Sequence, residues 1–439
     1  MLGDMPQNKK LGLVALGLLL IAVNLRVGVA SVSPVLADIR DQLGLPAEVA
    51  SLLTTIPVIA FGAFAFLTPA LMRRLSLHRL VGVSVLAIAA GIALRWAPGL
   101  TSLFAGTVIV GAAIAIANVV LPAAIKHDFS HRAGIMLGLY STALFAGAAV
   151  AAGLTVPLAS ITGNWRPALA LWAIPAVVAF VVWLPSFRRA GRAAAGARAE
   201  AGPPFRAMLT DRVALAVTGL MGLQSLGYYT TLTWVPTLLQ DHGMSEHMAG
   251  WLLSYSAFPG VAAALITPAL ARRFRPAWLL VAVAVVLTGA AYAGLIAAPV
   301  SGAYLWMTLL GLGQGAALSL SLTYIVWRAP DAHHTAHLST MAQGIGYLLA
   351  GLGPIGIGAV HSAAGGWTIP LVVLAALLVP QMIAGVFASR DRHVLQARRE
   401  GAEAGRHRQP EDGAAEPEGR PVPAVQHDAA HEWSAERGH

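Results

Sequence analysis

Twelve apolar runs constrain this chain more than any other feature. A helix needs about 20 mostly apolar residues to cross a bilayer. The runs cover roughly 11–35, 48–71, 79–97, 100–125, 133–159, 166–187, 212–239, 247–271, 277–298, 302–327, 333–361 and 367–388. Pro57, Pro122, Pro157, Pro259 and Pro354 lie inside them. Membrane helices accept such prolines where neighbours satisfy the freed backbone groups. Only 11% of the 439 residues are charged and 57% are hydrophobic, against roughly 25% charge in soluble domains. The expected fold is an all-α membrane protein with twelve transmembrane helices.

The first run differs from a signal peptide. Lys9 and Lys10 precede it and small residues follow near Ala30, but Asn24 and Arg26 interrupt it and it continues to Val35. It reads as an uncleaved first span. The chain has no cysteine, which excludes disulfides, thiolate metal sites and a cysteine nucleophile.

A net charge of +9 raises the question of nucleic acid, and the placement of the charge answers it. With the N-terminus in the cytoplasm, the inner segments hold Lys9, Lys10, Arg73, Arg74, Arg79, Lys126, Arg132, Arg188, Arg189, Arg192, Arg198, Arg206, Arg212, Arg272, Arg273, Arg275 and Arg328. The outer segments hold Arg40, Arg95 and Arg166. This is positive-inside asymmetry, with basic loops facing anionic headgroups. The expected location is the cell inner (plasma) membrane, multi-pass, with both termini cytoplasmic. Residues 389–439 hold ten of the 20 acidic residues and are rich in Gly, Ala, Pro and His. They read as a disordered cytoplasmic tail, and their scattered histidines as solvated filler.

The chain contains an internal repeat. Thr68 to Leu75 reads TPALMRRL and Thr267 to Phe274 reads TPALARRF, with six of eight positions identical. Gly163 to Arg166 (GNWR) precedes span six as Gly365 to Thr368 (GGWT) precedes span twelve. The domain expectation is an N-terminal six-helix bundle over 1–187, a basic linker over 188–211, a second six-helix bundle over 212–388, and the tail. Two such halves are the layout of a rocker-type secondary transporter with its site between them near the midplane.

This layout resembles the major facilitator superfamily. TPALMRRL is similar to a degraded copy of that superfamily's loop signature, without its usual acidic residue. Finer segments resemble the cyanate and nitroimidazole transporter family: NLRVGVASVSP (24–34), LLTTIPVIAFG (52–62), GAAIAIANVVLPAAIKHDF (111–129), GLYSTAL (138–144), GLQSLGYYTTLTWVP (222–236), GLGQGAALSLSL (311–322) and MAQGIGYLLAGLGP (341–354). They cover both halves. The resemblance implies alternating access, a role for Arg73, Arg74, Arg272 and Arg273 in the gating loops, and a cavity lined by spans one, four, seven and ten.

The residues support a site independently. Outside the tail every acidic residue falls in a loop or at a helix end, whereas Arg26 sits midway along span one. A lone arginine at that depth costs at least ~2.5–3.5 kcal/mol. Its guanidinium offers five donors that match a planar anion. The functional reading is a counter-charge for the substrate. The alternative is a helix tie through carbonyls, or a side chain snorkelling toward Asp38 or Asp128.

Gln224, Tyr228 and Thr231 share one face of span seven, and Thr340, Gln343 and Tyr347 one face of span eleven. Asn118 is the polar member of a face in span four, and Gln314 and Ser321 share a face in span ten. Such stripes serve either as cavity wall or as interhelical glue. Asn24 is about 200° around the helix from Arg26. The expected substrate-binding set is Arg26, Asn24, Asn118, Tyr140, Gln224, Tyr228, Gln314, Gln343 and Tyr347. Trp96, Trp165, Trp183, Trp278, Trp327 and Trp367 read as interfacial anchors. Trp234 reads as an anchor or a cavity cap, and the glycines of 351–358 as close-packing positions.

His333, His334, His337 and His127 read as solvated loop histidines, so proton coupling has no carrier inside a span. No HExxH, GxSxG or nucleotide loop occurs, so no enzyme activity, cofactor or metal is expected. The expectation is a monomeric secondary or facilitative transporter of a small, anionic solute, with the bilayer and that solute as its partners and no nucleic acid. The alternative is a multidrug-type efflux transporter on the same fold.

Overall fold

The computed structural model describes residues 7–193, 205–274 and 276–396. Every regular element among them is helical. Twelve long helices carry the fold. They are α1 (Gln7–Ala30), α2 (Ala47–Ala65), α3 (Leu77–Leu94), α4 (Leu100–Asp128), α5 (Ala133–Thr162) and α6 (Ala173–Ala193). The second series is α7 (Arg212–Asp241), α8 (Glu246–Arg273), α9 (Trp278–Ala297), α10 (Ala303–Trp327), α11 (Ala332–Ala364) and α12 (Thr368–Ser389). Short helices Leu36–Leu43, Thr68–Met72, Trp165–Leu171 and Phe205–Met208 fill the connections.

Ten helical stretches are long and apolar enough to cross a membrane. The other two expected spans fall at α2, whose apolar part Val49–Ala65 is shorter, and at α7. Helix α7 is 30 residues long, and its polar stripe from Gln224 to Thr233 dilutes its hydropathy.

The acidic residues of the loops are explained by capping. Asp211 Oδ1 accepts from the backbone N–H of Val213 and Ala214, each at 2.9 Å, and starts α7. Asp331 Oδ1 accepts from His334 N–H at 2.8 Å and starts α11. Such caps satisfy donors that a helix N-terminus leaves orphaned. At the other ends, Gly163 and Gly365 stop α5 and α11 at φ +70° and +67°, a conformation that only glycine adopts without strain.

The internal repeat is visible in the packing. Helix α1 packs on α5 and α6, α2 on α4, and α3 on α4 and α6. Adding six to each number gives the second set: α7 on α11 and α12, α8 on α10, and α9 on α10 and α12. The sets meet through α5 with α8 and α2 with α11, two contacts that this same shift exchanges, and also through α4 with α11. The TPAL segments follow suit: Thr68 and Thr267 are buried, while Arg73, Arg74, Arg272 and Arg273 are exposed at helix ends. Close approach of α5 to its neighbours needs glycine. A Cβ on Gly147 would lie 2.3 Å from the Val23 carbonyl oxygen of α1, and one on Gly138 2.7 Å from that of Leu265 in α8. Large apolar side chains such as Ile161, Val286, Leu352 and Ile355 remain exposed. Such a surface suits hydrocarbon and not water.

Three sequence expectations are corrected here. Trp183 is no interfacial anchor: it is fully buried, and its Nε1–H donates to the His78 carbonyl at 2.8 Å. Trp165 and Trp367 are also buried and donate to Gln42 Oε1 and Asp241 Oδ2, whereas Trp96 and Trp278 are exposed. Arg95, assigned to an outer segment, is 1% exposed and donates from Nη1 to the Gly28 carbonyl at 2.7 Å. The packed chain also runs past position 389, because Val394 and Leu395 are buried. Residues 397–439 of the expected tail lie outside the described residues.

Candidate functional site

Helix α1 delivers Arg26 to a pocket lined from both series of helices. The other lining residues are Leu144, Phe145 and Ala148 of α5, Gln224, Ser225, Tyr228 and Tyr229 of α7, Leu318 of α10 and Tyr347 of α11. The space between these side chains is narrow and partly open to the outside, ≈ 390 Å³ with the open part included. Arg26 Nη1 donates to the Tyr229 hydroxyl at 2.9 Å, and the Tyr347 hydroxyl borders the guanidinium. Among the described residues no carboxylate lies within salt-bridge distance of Arg26. A hydrogen bond to a charged group contributes about 1.5–3 kcal/mol. That offsets much of the ~2.5–3.5 kcal/mol cost of placing the charge at this depth, without neutralising it.

Aromatic rings wall the guanidinium. Phe145, Tyr228, Tyr229, Tyr347 and Phe61 form a chain of edge-to-face contacts with centroids 6.3, 5.3, 6.3 and 5.4 Å apart. This geometry is the preferred one for aromatic pairs. The chain runs from α5 through α7 and α11 to α2, so it passes between the two sets of helices twice, from α5 to α7 and from α11 to α2.

Residues 18–354 and 217–427 match the family described as Major Facilitator Superfamily. The chain belongs to the major facilitator superfamily. It is 35% identical to the 2-nitroimidazole transporter of Escherichia coli (strain K12) over 378 residues, 86% of this chain and 95% of that one. It is 32% identical to the cyanate transport protein CynX of the same organism over 368 residues, 83% of this chain and 94% of that one. Its fold matches that of a proton:xylose symporter with a TM-score of 0.68 at 14% identity, over 89% of this chain and 97% of the symporter. As a superfamily member it has the twelve-helix, two-repeat fold and is a multi-pass membrane transporter.

The nine residues expected to bind substrate separate into four groups in this transporter. Arg26, Gln224, Tyr228 and Tyr347 line the pocket. Gln314 lines an adjoining void of ≈ 340 Å³ that Gln224 also borders, and its Nε2 donates to Thr231 Oγ1 at 2.9 Å. Gln381 lines that void as well and is 5% exposed.

Asn118, Tyr140 and Gln343 form a buried seam instead. The Tyr140 hydroxyl donates to Asn118 Oδ1 at 3.5 Å, and Gln343 Nε2 donates to the Asn118 carbonyl at 2.7 Å. The cause is Pro122, four residues on, which has no N–H to give that carbonyl. An amide from α11 thus completes the ladder of α4. Asn24 is the remaining correction. Its Nδ2 donates to the carbonyls of Leu20 and Pro175 at 2.8 and 3.2 Å, tying α1 to α6 on the face opposite Arg26. Helix α4 contributes no lining residue, and α5 and α11 do.

Tyr229, Phe145 and Ser225 were missed. Tyr229 stands 100° around α7 from Tyr228, outside the stripe drawn through Tyr228. Phe145 carries no polar signal. The doubled tyrosine was the one available hint. Arg26 turns to neither Asp38 nor Asp128. Trp234 belongs with His361 and Trp367 in a ring cluster and donates to the Pro354 carbonyl at 2.8 Å, so it does not line the pocket. Of the glycines at 351–358, Gly353 meets Thr230 and Leu226, and Gly358 meets Trp234, while Gly351 and Gly356 face open space.

Proposed function

We propose that this transporter moves a small anionic solute by alternating access between two six-helix bundles, residues 1–187 and 212–388, joined by the linker 188–211. The observation that carries the reading is the Arg26 guanidinium, facing a pocket between the two series with no carboxylate among the described residues to neutralise it. Tyrosine hydroxyls engage at most two of its five donors, which leaves a fork for a planar or linear anion. The edge-to-face rings suit a flat solute. The relatives named for nitroimidazole and cyanate support a small polar solute. The basic loops support cytoplasmic termini in the cell inner membrane, and the protein is taken to act as a monomer. Arg73, Arg74, Arg272 and Arg273 are proposed to act at the cytoplasmic ends during gating. The isolated positive charge argues against the multidrug reading.

The test is uptake into proteoliposomes of cyanate, nitrite, formate and 2-nitroimidazole by wild type, Arg26→Lys and Arg26→Gln. Loss of at least tenfold in anion uptake by Arg26→Gln, with normal insertion, is the expected result. Arg26→Lys keeps the charge and loses the fork, so it retains transport at a raised KM. Unchanged anion uptake in Arg26→Gln overturns the site assignment.

A further inference from the structure

Away from the central pocket, α3 and α4 bring three ligand-type side chains together. His78 lies in the first turn of α3, and His127 and Asp128 end α4. His78 Nε2 is 2.9 Å from Asp128 Oδ2, and His127 Nδ1 is 2.7 Å from Oδ1 of the same carboxylate. The donor atoms all lie within 4.8 Å of one another. Two imidazoles and one carboxylate are the donor set taken by borderline divalent metals. We propose that His78, His127 and Asp128 bind a divalent transition-metal ion of the zinc, cobalt or nickel type.

Convergence is the first support. Both rings aim a nitrogen at one carboxylate, although they come from helices joined by a loop and 49 to 50 positions apart in sequence. Surface histidines scattered by composition have no reason to do this.

Preorganisation is the second. The His78 ring stacks on Trp183 of α6 at 5.6 Å and 13°. The Trp183 indole also holds the His78 backbone carbonyl. Trp183 is fully buried, so it fixes His78 as a supporting residue fixes a metal ligand. The side chains of His78 and Asp128 are 19% and 12% exposed.

Access is the third. The His127 side chain is 60% exposed, which leaves an entry path and room for water as the fourth ligand. Ligands at 2.0–2.2 Å around a tetrahedral ion sit about 3.3–3.6 Å apart. The two nitrogen–oxygen separations, 2.9 and 2.7 Å, are hydrogen-bond distances and open by about 0.4–0.9 Å to admit the ion. Bringing the two nitrogens to ligand spacing needs movement of up to about 1.5 Å, and the exposed His127 ring is free to supply it. Metal binding displaces the protons that these nitrogens now share with the carboxylate. The competing account is a plain cluster of hydrogen bonds between the two imidazoles and Asp128.

Full-length protein, purified in detergent and stripped with a chelator, tests the site. Cobalt(II) titration is followed by visible ligand-field absorption, and zinc(II) titration by calorimetry. Other histidines of the chain contribute a background, so wild type is compared with His127→Ala and Asp128→Asn. The expected result is one cobalt equivalent with ligand-field bands that both variants lose, and zinc affinity at that site at least tenfold weaker in each. His127→Ala removes an exposed ring, so its metal-free melting temperature stays at the wild-type value and separates lost binding from lost folding. Identical isotherms for wild type and His127→Ala, or no zinc binding below millimolar concentration, overturn the proposal and leave a hydrogen-bonded cluster only.

Discussion

Arg26 of α1 donates to the Tyr229 hydroxyl of α7 across 2.9 Å, and this one bond links the first helices of the two repeats. The two residues are 203 positions apart. Under the alternating access proposed above, rocking of one repeat against the other would change the distance between α1 and α7 and break this bond in the other state.

Tyr229→Phe removes the hydroxyl and keeps the ring. An unpaired donor on a half-buried guanidinium costs about 1.5–3 kcal/mol. The variant is expected to melt several degrees below wild type without solute. A bound anion then supplies the missing acceptor, so the ligand-induced rise in melting temperature is larger than in wild type. Thermal-shift curves with and without anion check both signs. Equal rises in the two proteins would mean that anion and hydroxyl do not share the donor.

The seam at Asn118 joins α4 of the first series to α11 of the second. Gln343 Nε2 reaches the Asn118 carbonyl that Pro122 leaves unpaired, and it also donates to Ser339 Oγ at 2.7 Å. Gln343→Leu fills the same volume and strands that carbonyl at a cost of about 1–3 kcal/mol. Helices α11 and α4 then hold together less firmly. Solute affinity is expected to stay within twofold of wild type while turnover changes several-fold. The chain has no cysteine, so a single cysteine at Ala148 reports pocket access by its thiol-labelling rate, which is expected to differ between Gln343→Leu and its parent.

The fold was legible because lipid imposes a simple rule: each span must be long, apolar and internally hydrogen-bonded. Twelve runs, the TPAL repeat and the basic loops therefore gave the architecture directly. Arg26 was legible for a related reason, since a mid-span charge is conspicuous. The remainder of the site was harder. Helical spacing tells which residues share a face and not which neighbour that face meets. Asn118 and Gln343 look like cavity polars and instead repair a proline defect. Asn24 looks like a partner of Arg26 and faces α6. Phe145 looks like core and lines the pocket. Arg95 looks like a loop residue, and its burial against Gly28 depends on where α1 crosses α3.

Glycine on α5 provides a control pair. A Cβ at Gly147 would lie 2.3 Å from the Val23 carbonyl oxygen, whereas one at Gly153 meets nothing within 4 Å. Backbone cannot yield as a flexible side chain does, so Gly147→Ala pushes α1 away from α5. Overpacking of this kind costs about 1–3 kcal/mol, and Val23 is three residues from Arg26. Gly147→Ala is expected to lower the melting temperature and raise KM for the anion. Gly153→Ala is expected to raise stability by roughly 0.5–1 kcal/mol through helix propensity alone. Thermal denaturation in detergent, paired with uptake assays, separates the two.

Arg328 closes the packed chain at its far end. It is 5% exposed. Its Nε and Nη2 donate to the Ala388 and Ser389 carbonyls at 2.9 and 3.1 Å, and its Nη1 to Asp391 Oδ1 at 2.9 Å. Its own carbonyl accepts from Val394 N–H at 2.8 Å, and Leu395 N–H donates to Asp211 Oδ2 at 3.0 Å. Residues 390–395 thus strap the end of α12 to the end of α10 and the start of α7. The magnitudes are unequal. The Asp391 side chain is 76% exposed, and exposed ion pairs contribute under about 1 kcal/mol. The two carbonyls are orphans of the α12 C-terminus, where a cation is favourable, and each bond to a charged donor contributes about 1.5–3 kcal/mol. Arg328→Ala is therefore expected to lower stability by roughly 3 kcal/mol and to expose 390–395 to protease. Asp391→Asn is expected to do neither. Limited proteolysis with mass-spectrometric mapping, run beside melting curves, distinguishes them. If Asp391→Asn releases the strap as readily as Arg328→Ala, the ion pair and not the helix-end carbonyls holds it.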